Sequence, residues 1–275
     1  MKKIAFQGEH GAFSEVAIQE HCGPGVTGVP CETFDEVFER VAGGNCESGF
    51  IPVENSVAGS IHRNYDLLLQ FPLVVVGEHY LRVSHCLIGL PGASLVDIRK
   101  VISHPQALAQ CEHYLRGLSG VSVEPVYDTA GSVAMVKDLG DPTVAAIASR
   151  RAAEIYQMPV LAATIEDYPE NYTRFQIIAR EPVHAGTDAK TSIVFSLHNR
   201  PGALFRAMSV FALRDIDLCK IESRPLTGKL WEYYFYIDLI GSQEEQHVAN
   251  ALANLAEYAS FLRVLGSYPR HRALA

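Results

Sequence analysis

Asn171-Tyr172-Thr173-Arg174-Phe175 sets a hydroxyl beside a guanidinium, where the polar turn Tyr168-Pro169-Glu170 runs into the apolar stretch Phe175-Gln176-Ile177-Ile178. A loop that feeds a strand suits functional side chains, because the scaffold fixes them while the loop stays reachable. Arg174 can grip a carboxylate with two hydrogen bonds, and Thr173 can donate to an oxygen without bringing charge. An ordinary surface turn accounts for the same five residues, so other polar loops must decide.

Several upstream loops share one plan, in which a strand ends and small or polar residues lead into a helix. Gly8-Glu9-His10-Gly11-Ala12-Phe13-Ser14 follows the first apolar run. Its glycine spacing is not that of a dinucleotide-binding turn, and a tight turn with Ser14 as helix cap explains it as well. Pro52-Val53-Glu54-Asn55-Ser56 follows another run; it reads either as a helix start or as three polar groups at a strand's C-terminal edge, where α/β clefts hold ligands. Ser103-His104-Pro105-Gln106 puts proline at a first helical position, which makes His104 or Ser103 the cap, with proton handling as the other reading of His104. Asp128-Thr129 and Ser149 precede further helices. Together these loops gather helix N-termini, with their free N–H groups and positive dipole ends, into a site suited to a carboxylate-rich small molecule.

Other chemistries find little support. No nucleophile-elbow, zinc-protease or phosphate-loop string occurs, and histidines such as His10, His62, His79, His85 and His113 read as surface or capping residues. The formal net charge of −8, without a Lys/Arg cluster, argues against nucleic acid. Six cysteines at irregular spacings fit a reduced chain rather than a disulfide framework or a metal site. No apolar run reaches membrane-spanning length, and residues 1–6 do not form a signal-peptide core, so a cytoplasmic protein is expected.

Those loops need a scaffold. At 275 residues, two domains are expected. Residues 181–190 interrupt the apolar patterning with Pro182 and Gly186 and read as a linker, giving 1–182, a linker at 183–190 and a tail at 191–270. In the first part, strand-like runs at 4–6, 48–53, 74–76, 86–89, 101–102 and 144–148 alternate with helical periodicity. One such helix opens on a Thr33/Glu36 capping box and keeps Phe34, Val37, Phe38 and Val41 on one face. Another keeps Leu108, Cys111 and Leu115 inward. The pattern predicts α/β with largely parallel, buried strands. In the tail, Ile193, Phe195 and Leu197 alternate along a strand, Leu204, Met208 and Phe211 share a helix face, and residues 216–221 make a second strand. Trp231 to Leu239 alternate along a third strand; Ser242 and Glu245 box a helix carrying Val248, Leu252 and Leu255, and 261–265 closes. The order βαββαβ is a ferredoxin-like unit.

Taken in order, these strings resemble the prephenate dehydratase family, in its monofunctional type with a C-terminal ACT regulatory domain. The carriers are 8–14, 52–60, 103–111, 128–130 and 171–175, then Asn199-Arg200-Pro201-Gly202-Ala203-Leu204-Phe205 and Glu222-Ser223-Arg224-Pro225 in the tail. Departures are small: Glu9-His10 replaces a turn that often carries proline, and Gly131-Ser132 stands where alanine is usual. The resemblance implies a two-lobed catalytic domain like periplasmic binding proteins, with crossovers near 78 and 160. It also implies decarboxylative dehydration of prephenate to phenylpyruvate, needing neither cofactor nor metal. Thr173 is then the essential residue, with His104 as candidate helper. Gly11, Ala12, Phe13, Ser14, Asn55, Ser56, Gln106, Thr129, Asn171, Arg174 and Phe175 become substrate contacts.

By the same resemblance, L-phenylalanine binds the tail as effector between subunits of a homodimer or homotetramer. Its contacts are Asn199, Gly202, Ala203, Leu204, Phe205, Glu222, Ser223, Arg224 and Pro225. Arg174 and the helix N-termini are expected to hold the pyruvyl carboxylate and leave the departing one in a drier place. Glu54 is expected to orient a neighbour rather than donate a proton. Arogenate, with an amine in place of the keto group, is the rival substrate; a non-catalytic amino-acid sensor is the rival class.

Overall fold

The chain divides into two compact units, residues 1–71 with 79–176 and residues 72–78 with 177–275. The computed structural model describes residues 1–226, 228–229 and 231–271. The second unit takes in the 183–190 stretch together with a seven-residue segment from the first half of the chain, and its boundaries fall within strands.

The first unit opens with β1 (Lys2–Gln7), α1 (Phe13–Cys22), β2 (Val26–Cys31), α2 (Phe34–Ala42), β3 (Ser48–Asn55), β4 (Gly59–Ser60), α3 (His62–Gln70) and β5 (Val74–Arg82). It then builds a second lobe from β6 (Cys86–Ile88), β7 (Lys100–Ser103), α4 (Pro105–Ala109), α5 (Glu112–Arg116), β8 (Ser122–Pro125), α6 (Gly131–Leu139), β9 (Val144–Ala148), α7 (Arg150–Tyr156) and β10 (Val160–Ala163). The chain returns to the first lobe as β11 (Tyr172–Ala179). The sheets run β2-β1-β3-β11-β5 and β10-β6-β9-β7-β8. Crossovers fall at 83–85 and 164–171, several residues beyond the expected places. β1 pairs parallel with β2 and β3, and β7 parallel with β8 and β9, whereas β6 runs antiparallel to β9 and β10. The largely parallel pattern therefore holds around β1 and β7 and fails around β6.

β9 shows why the short apolar runs are strands. Val144, Ala146 and Ala148 enter one core cluster, while Ala145 and Ile147 enter another on the opposite face. A strand covered on both faces is apolar throughout. α2 forms where expected, with Val37, Phe38 and Val41 buried. Thr33 Oγ1 accepts from the Glu36 N–H at 3.2 Å, but the Glu36 carboxylate takes the Glu32 N–H at 2.8 Å, so only half of the box closes. The helix predicted through Leu108, Cys111 and Leu115 breaks into α4 and α5. The Gln110 carbonyl accepts from the Asp167 N–H at 2.8 Å, and the Asp167 carboxylate takes the His113 N–H at 3.1 Å, so the returning loop displaces the helical ladder.

The second unit contains β12 (Ala189–Leu197), α8 (Ala203–Ala212), β13 (Leu218–Pro225), β14 (Tyr233–Ile240), α9 (Gln246–Tyr258) and β15 (Ala259–Pro269). The sheet order β13-β14-β12-β15, antiparallel throughout, is the ferredoxin-like arrangement. β13 and β15 both run further than the sequence suggests. The Ser242/Glu245 pair bonds within the turn ahead of α9, where Ser242 N–H donates to the Glu245 carboxylate at 2.7 Å. One sheet face packs Ile193, Phe195, Leu197, Ile237 and Leu239 on the two helices. The other is polar yet buried, because residues 72–78 lie on it. Arg263 donates to the Leu73 carbonyl at 3.0 Å, and Lys190 Nζ meets both Glu78 carboxylate oxygens at 2.7 and 2.8 Å. At Gly266 a Cβ would fall 2.1 Å from the Val75 carbonyl oxygen.

Candidate active site

A cleft of about 520 Å³ opens in the first unit, lined from both lobes. Ala12, Phe13 and Ser14 bring the start of α1 to it, Thr33, Phe34 and Asp35 the start of α2, and His104, Gln106 and Ala107 the start of α4. Asp128 and Thr129 approach from the turn before α6. Of the helix starts expected to gather, those of α1, α4 and α6 do so and α2 joins them, whereas Ser149 and α7 are not in the lining. Ser14 is not the cap of α1: the N-cap is Ala12, with no side-chain bond, so the first N–H groups of α1 lack a side-chain acceptor where the helix meets the cleft.

Thr173 and Phe175 line the cleft from β11, and Asn55 lines it from the end of β3. Asn55 Oδ1 accepts from the N–H groups of Val57 (3.1 Å) and Ala58 (2.8 Å). That fixes its amide, because only the carbonyl end can accept. Asn55 Nδ2 then donates to Thr173 Oγ1 at 3.0 Å and to Asn171 Oδ1 at 2.8 Å. With a donor on its oxygen, the Thr173 hydroxyl keeps its own hydrogen for a cleft occupant.

Four expected contacts lie elsewhere. Arg174 is only 4% exposed and absent from the cleft lining; it sits between Thr173 and Phe175 on a strand, so its side chain leaves by the opposite face, where its guanidinium lies 5.9 Å from the Tyr80 ring centroid. The expected carboxylate clamp is therefore corrected. Ser56 is exposed and clips the returning loop instead, donating to the Glu170 carbonyl at 2.8 Å and accepting from the Tyr172 N–H at 2.9 Å. Asn171 lies beneath Asn55. Gly11 packs on the second lobe, where a Cβ would come 2.7 Å from Ala152 Cα and Ser149 Oγ donates to the Gly11 carbonyl at 2.5 Å. Glu54 is likewise absent from the lining.

His104 caps α4 as the sequence suggests, its Nδ1 accepting from the Gln106 N–H at 3.2 Å, which leaves Nε2 for proton traffic. Sequence reasoning missed Gln110 and misjudged His85. His85 is neither surface nor cap: it is buried against Phe13, lines the cleft, and holds Gln110 Oε1 at 2.9 Å. Burial lowers its pKa below the ordinary histidine value, against the Gln110 hydrogen bond and the nearby Glu166 carboxylate. Glu32, Asp35 and Asp128 also line the cleft, and no Lys or Arg does among the described residues.

A second cavity of about 420 Å³ lies in the second unit, lined by Leu197, His198, Asn199, Arg200, Ala203, Leu204, Trp231, Tyr233 and Phe235. Gly202 is the N-cap of α8 at its edge. Phe205 is 77% exposed and does not line it, nor do Glu222, Ser223, Arg224 and Pro225, which follow the edge strand β13. The predicted effector contacts thus split into two separate groups in one chain. Trp231 and Tyr233 join the first group; the sequence marked them only as alternating strand residues.

A family model described as prephenate dehydratase matches residues 4–183, and one described as ACT domain matches 191–257. Arogenate dehydratase/prephenate dehydratase 2, chloroplastic, of Arabidopsis thaliana is 49% identical over 97% of this chain and 72% of its own length. Among solved structures, GqqA, described as a novel type of quorum quenching acylase, is 36% identical with a TM-score of 0.91, over 98% of each chain. Prephenate dehydratase from Arthrobacter aurescens, in complex with L-Phe, is 32% identical with a TM-score of 0.89, over 99% of this chain and 92% of that one.

Proposed function

The chain belongs to the prephenate dehydratase family and has an ACT domain, and from that premise we propose that its cleft converts prephenate to phenylpyruvate in phenylalanine biosynthesis, under feedback from phenylalanine bound in the second unit. The observation that carries the reading is the Thr173 hydroxyl, held as an acceptor by Asn55 on the cleft wall with its hydrogen free.

Prephenate must lose its ring carboxylate as CO2 and its ring hydroxyl as water, taking up one proton; the electron pair of the breaking C–C bond aromatises the ring. Hydroxide is the poor leaving group, so a donor aimed at the departing oxygen acts where charge grows. Thr173 supplies that hydrogen bond. As too weak an acid to surrender its proton, it leaves complete transfer to a water or to His104 Nε2. The carboxylate that stays is met by helix N-termini and neutral donors such as Gln106 and Thr129. Because no lysine or arginine lines the cleft among the described residues, the departing carboxylate is not stabilised by a fixed cation, which would deepen the ground state.

One observation favours arogenate as a second substrate. Glu32 and Asp128 line the cleft, and a carboxylate suits an ammonium better than a keto group. Nothing comparable favours acyl transfer, since the recorded partner of Thr173 Oγ1 is an amide rather than a base. A dimer is the smallest assembly that could bring residues 222–225 of one copy to the second cavity of another. Six free cysteines support a reducing, cytoplasmic setting. Purified protein incubated with prephenate or arogenate, with and without phenylalanine, tests the reading: phenylpyruvate or phenylalanine forms and added phenylalanine slows it, and inactivity on both compounds refutes it.

A further inference from the structure

His85 has no part in the reaction as derived above, yet it is 2% exposed, lines the cleft and ends a chain of side-chain hydrogen bonds that starts at Thr173. The chain reads in one direction only. Val57 and Ala58 N–H groups hold Asn55 Oδ1, so Asn55 Nδ2 must face Thr173. Gln110 Nε2 stands 3.5 Å from that same Asn55 Oδ1, which an amide nitrogen can approach and an amide oxygen cannot without repulsion. Gln110 Oε1 therefore faces His85, and the 2.9 Å contact requires hydrogen on His85 Nε2. Its Nδ1 is a buried lone pair without a hydrogen-bond partner among the described residues. His85 itself is fixed by its own N–H, which donates to the Glu166 carboxylate at 2.8 Å, and by the edge of Phe13.

Resting on the dehydratase reading, we propose that His85 is a positioning residue that acts through Gln110 and Asn55 to turn the Thr173 hydroxyl hydrogen toward the departing oxygen. The four residues come from both lobes: Asn55 and Thr173 from the first sheet, Gln110 from the second lobe and His85 from the crossover that leads into it. The long Gln110–Asn55 link is the one that crosses between them. The relay therefore joins the two lobes, and His85 sets the Gln110 end of it. His85 touches no reacting atom; it holds the Gln110 amide with its N–H end toward Asn55 Oδ1, so the Asn55 amide that Val57 and Ala58 already orient meets a donor there and not a repelling oxygen.

The test uses the full-length protein and whichever of prephenate or arogenate it turns over. His85→Leu lowers kcat, by up to about 10²-fold for a misplaced group, with KM held within about twofold, while His85→Gln, which keeps a donor, recovers most of the loss. In a Gln110→Leu background His85→Leu changes kcat no further. Unchanged kcat in His85→Leu, or losses from His85 and Gln110 that multiply independently, overturns the proposal. Nitrogen-15 spectra of the wild-type imidazole give a second reading that needs neither a variant nor turnover. A neutral ring protonated at Nε2 is expected, and protonation at Nδ1 overturns the relay. Inactivity of the wild type on both compounds defeats the dehydratase reading instead, and the nitrogen spectra still decide whether the relay exists.

Discussion

The cleft of the first unit and the cavity of the second are lined by opposite charge. Glu32, Asp35 and Asp128 line the cleft without a lysine or arginine, whereas Arg200 and His198 line the cavity without a carboxylate, in each case among the described residues. A site that only binds gains from every favourable charge. A site that must also expel a carboxylate loses rate if it holds that group too well. The cleft accordingly presents helix N-termini and fixed neutral amides, and the cavity presents the Arg200 guanidinium and aromatic faces.

The comparison breaks most sharply at Thr173. Thr173→Ala is expected to fold normally and bind substrate, with kcat reduced by ~10²–10⁴; near-normal product formation would remove the hydroxyl from the mechanism. Next is Lys190→Met, which takes the cation from beside the buried Glu78 carboxylate and should cost about 3–5 kcal/mol in denaturant unfolding. An unchanged midpoint would mean that Glu78 is satisfied without it. A paired experiment sharpens the charge contrast itself. Arg200→Ala should weaken phenylalanine binding about tenfold, and Asp128→Asn should reduce turnover of arogenate relative to prephenate by a similar factor, since hydrogen bonds to charged groups contribute ~1.5–3 kcal/mol. Calorimetry and competing-substrate assays read the two, and equal loss on both substrates would deny Asp128 any selectivity.

Arg174→Lys tests the correction made at β11. It should lower stability by about 1–2 kcal/mol through the lost contact with Tyr80 and leave KM unchanged; a raised KM would restore Arg174 as a substrate contact. The smallest effect is in pH. His85 has a folded-state pKa depressed below its ordinary 6.5. The unfolded chain therefore binds the proton first, and stability is full above pH 6.5 and declines below it until the folded ring also titrates. His85→Gln should flatten the fall of Tm over that window, and an identical pH slope would contradict the buried neutral ring.

Much of the cleft was legible because its loops announce themselves. Pro105 at a first helical position narrowed the cap to His104 or Ser103, of which the fold uses His104, and Asp128-Thr129 stands ahead of a helix as expected. The Arg174 error was avoidable in principle: once β11 is a strand, Thr173 and Phe175 on one face oblige Arg174 to the other. His85 was not legible, since its burial comes from Phe13, Gln110 and Glu166, which the fold alone brings to it. The start of α1 at Phe13 left Ser14 inside the helix, a shift of two residues in the cap that propensity does not resolve. The membership of residues 72–78 left no local trace, because the contact that explains it, Lys190 with Glu78, spans 112 positions.

That borrowed segment changes what can be excised. A chimera spliced at the 183–190 linker would carry off a tail whose polar sheet face has lost Leu73, Val75 and Glu78, with Lys190 stranded beside the missing carboxylate. The remaining piece would keep residues 72–78 with nothing to lie on. Grafting this regulatory unit onto another enzyme therefore means transplanting two stretches of chain, and Gly266 must travel with them, because any larger residue there would lever the inserted strand away.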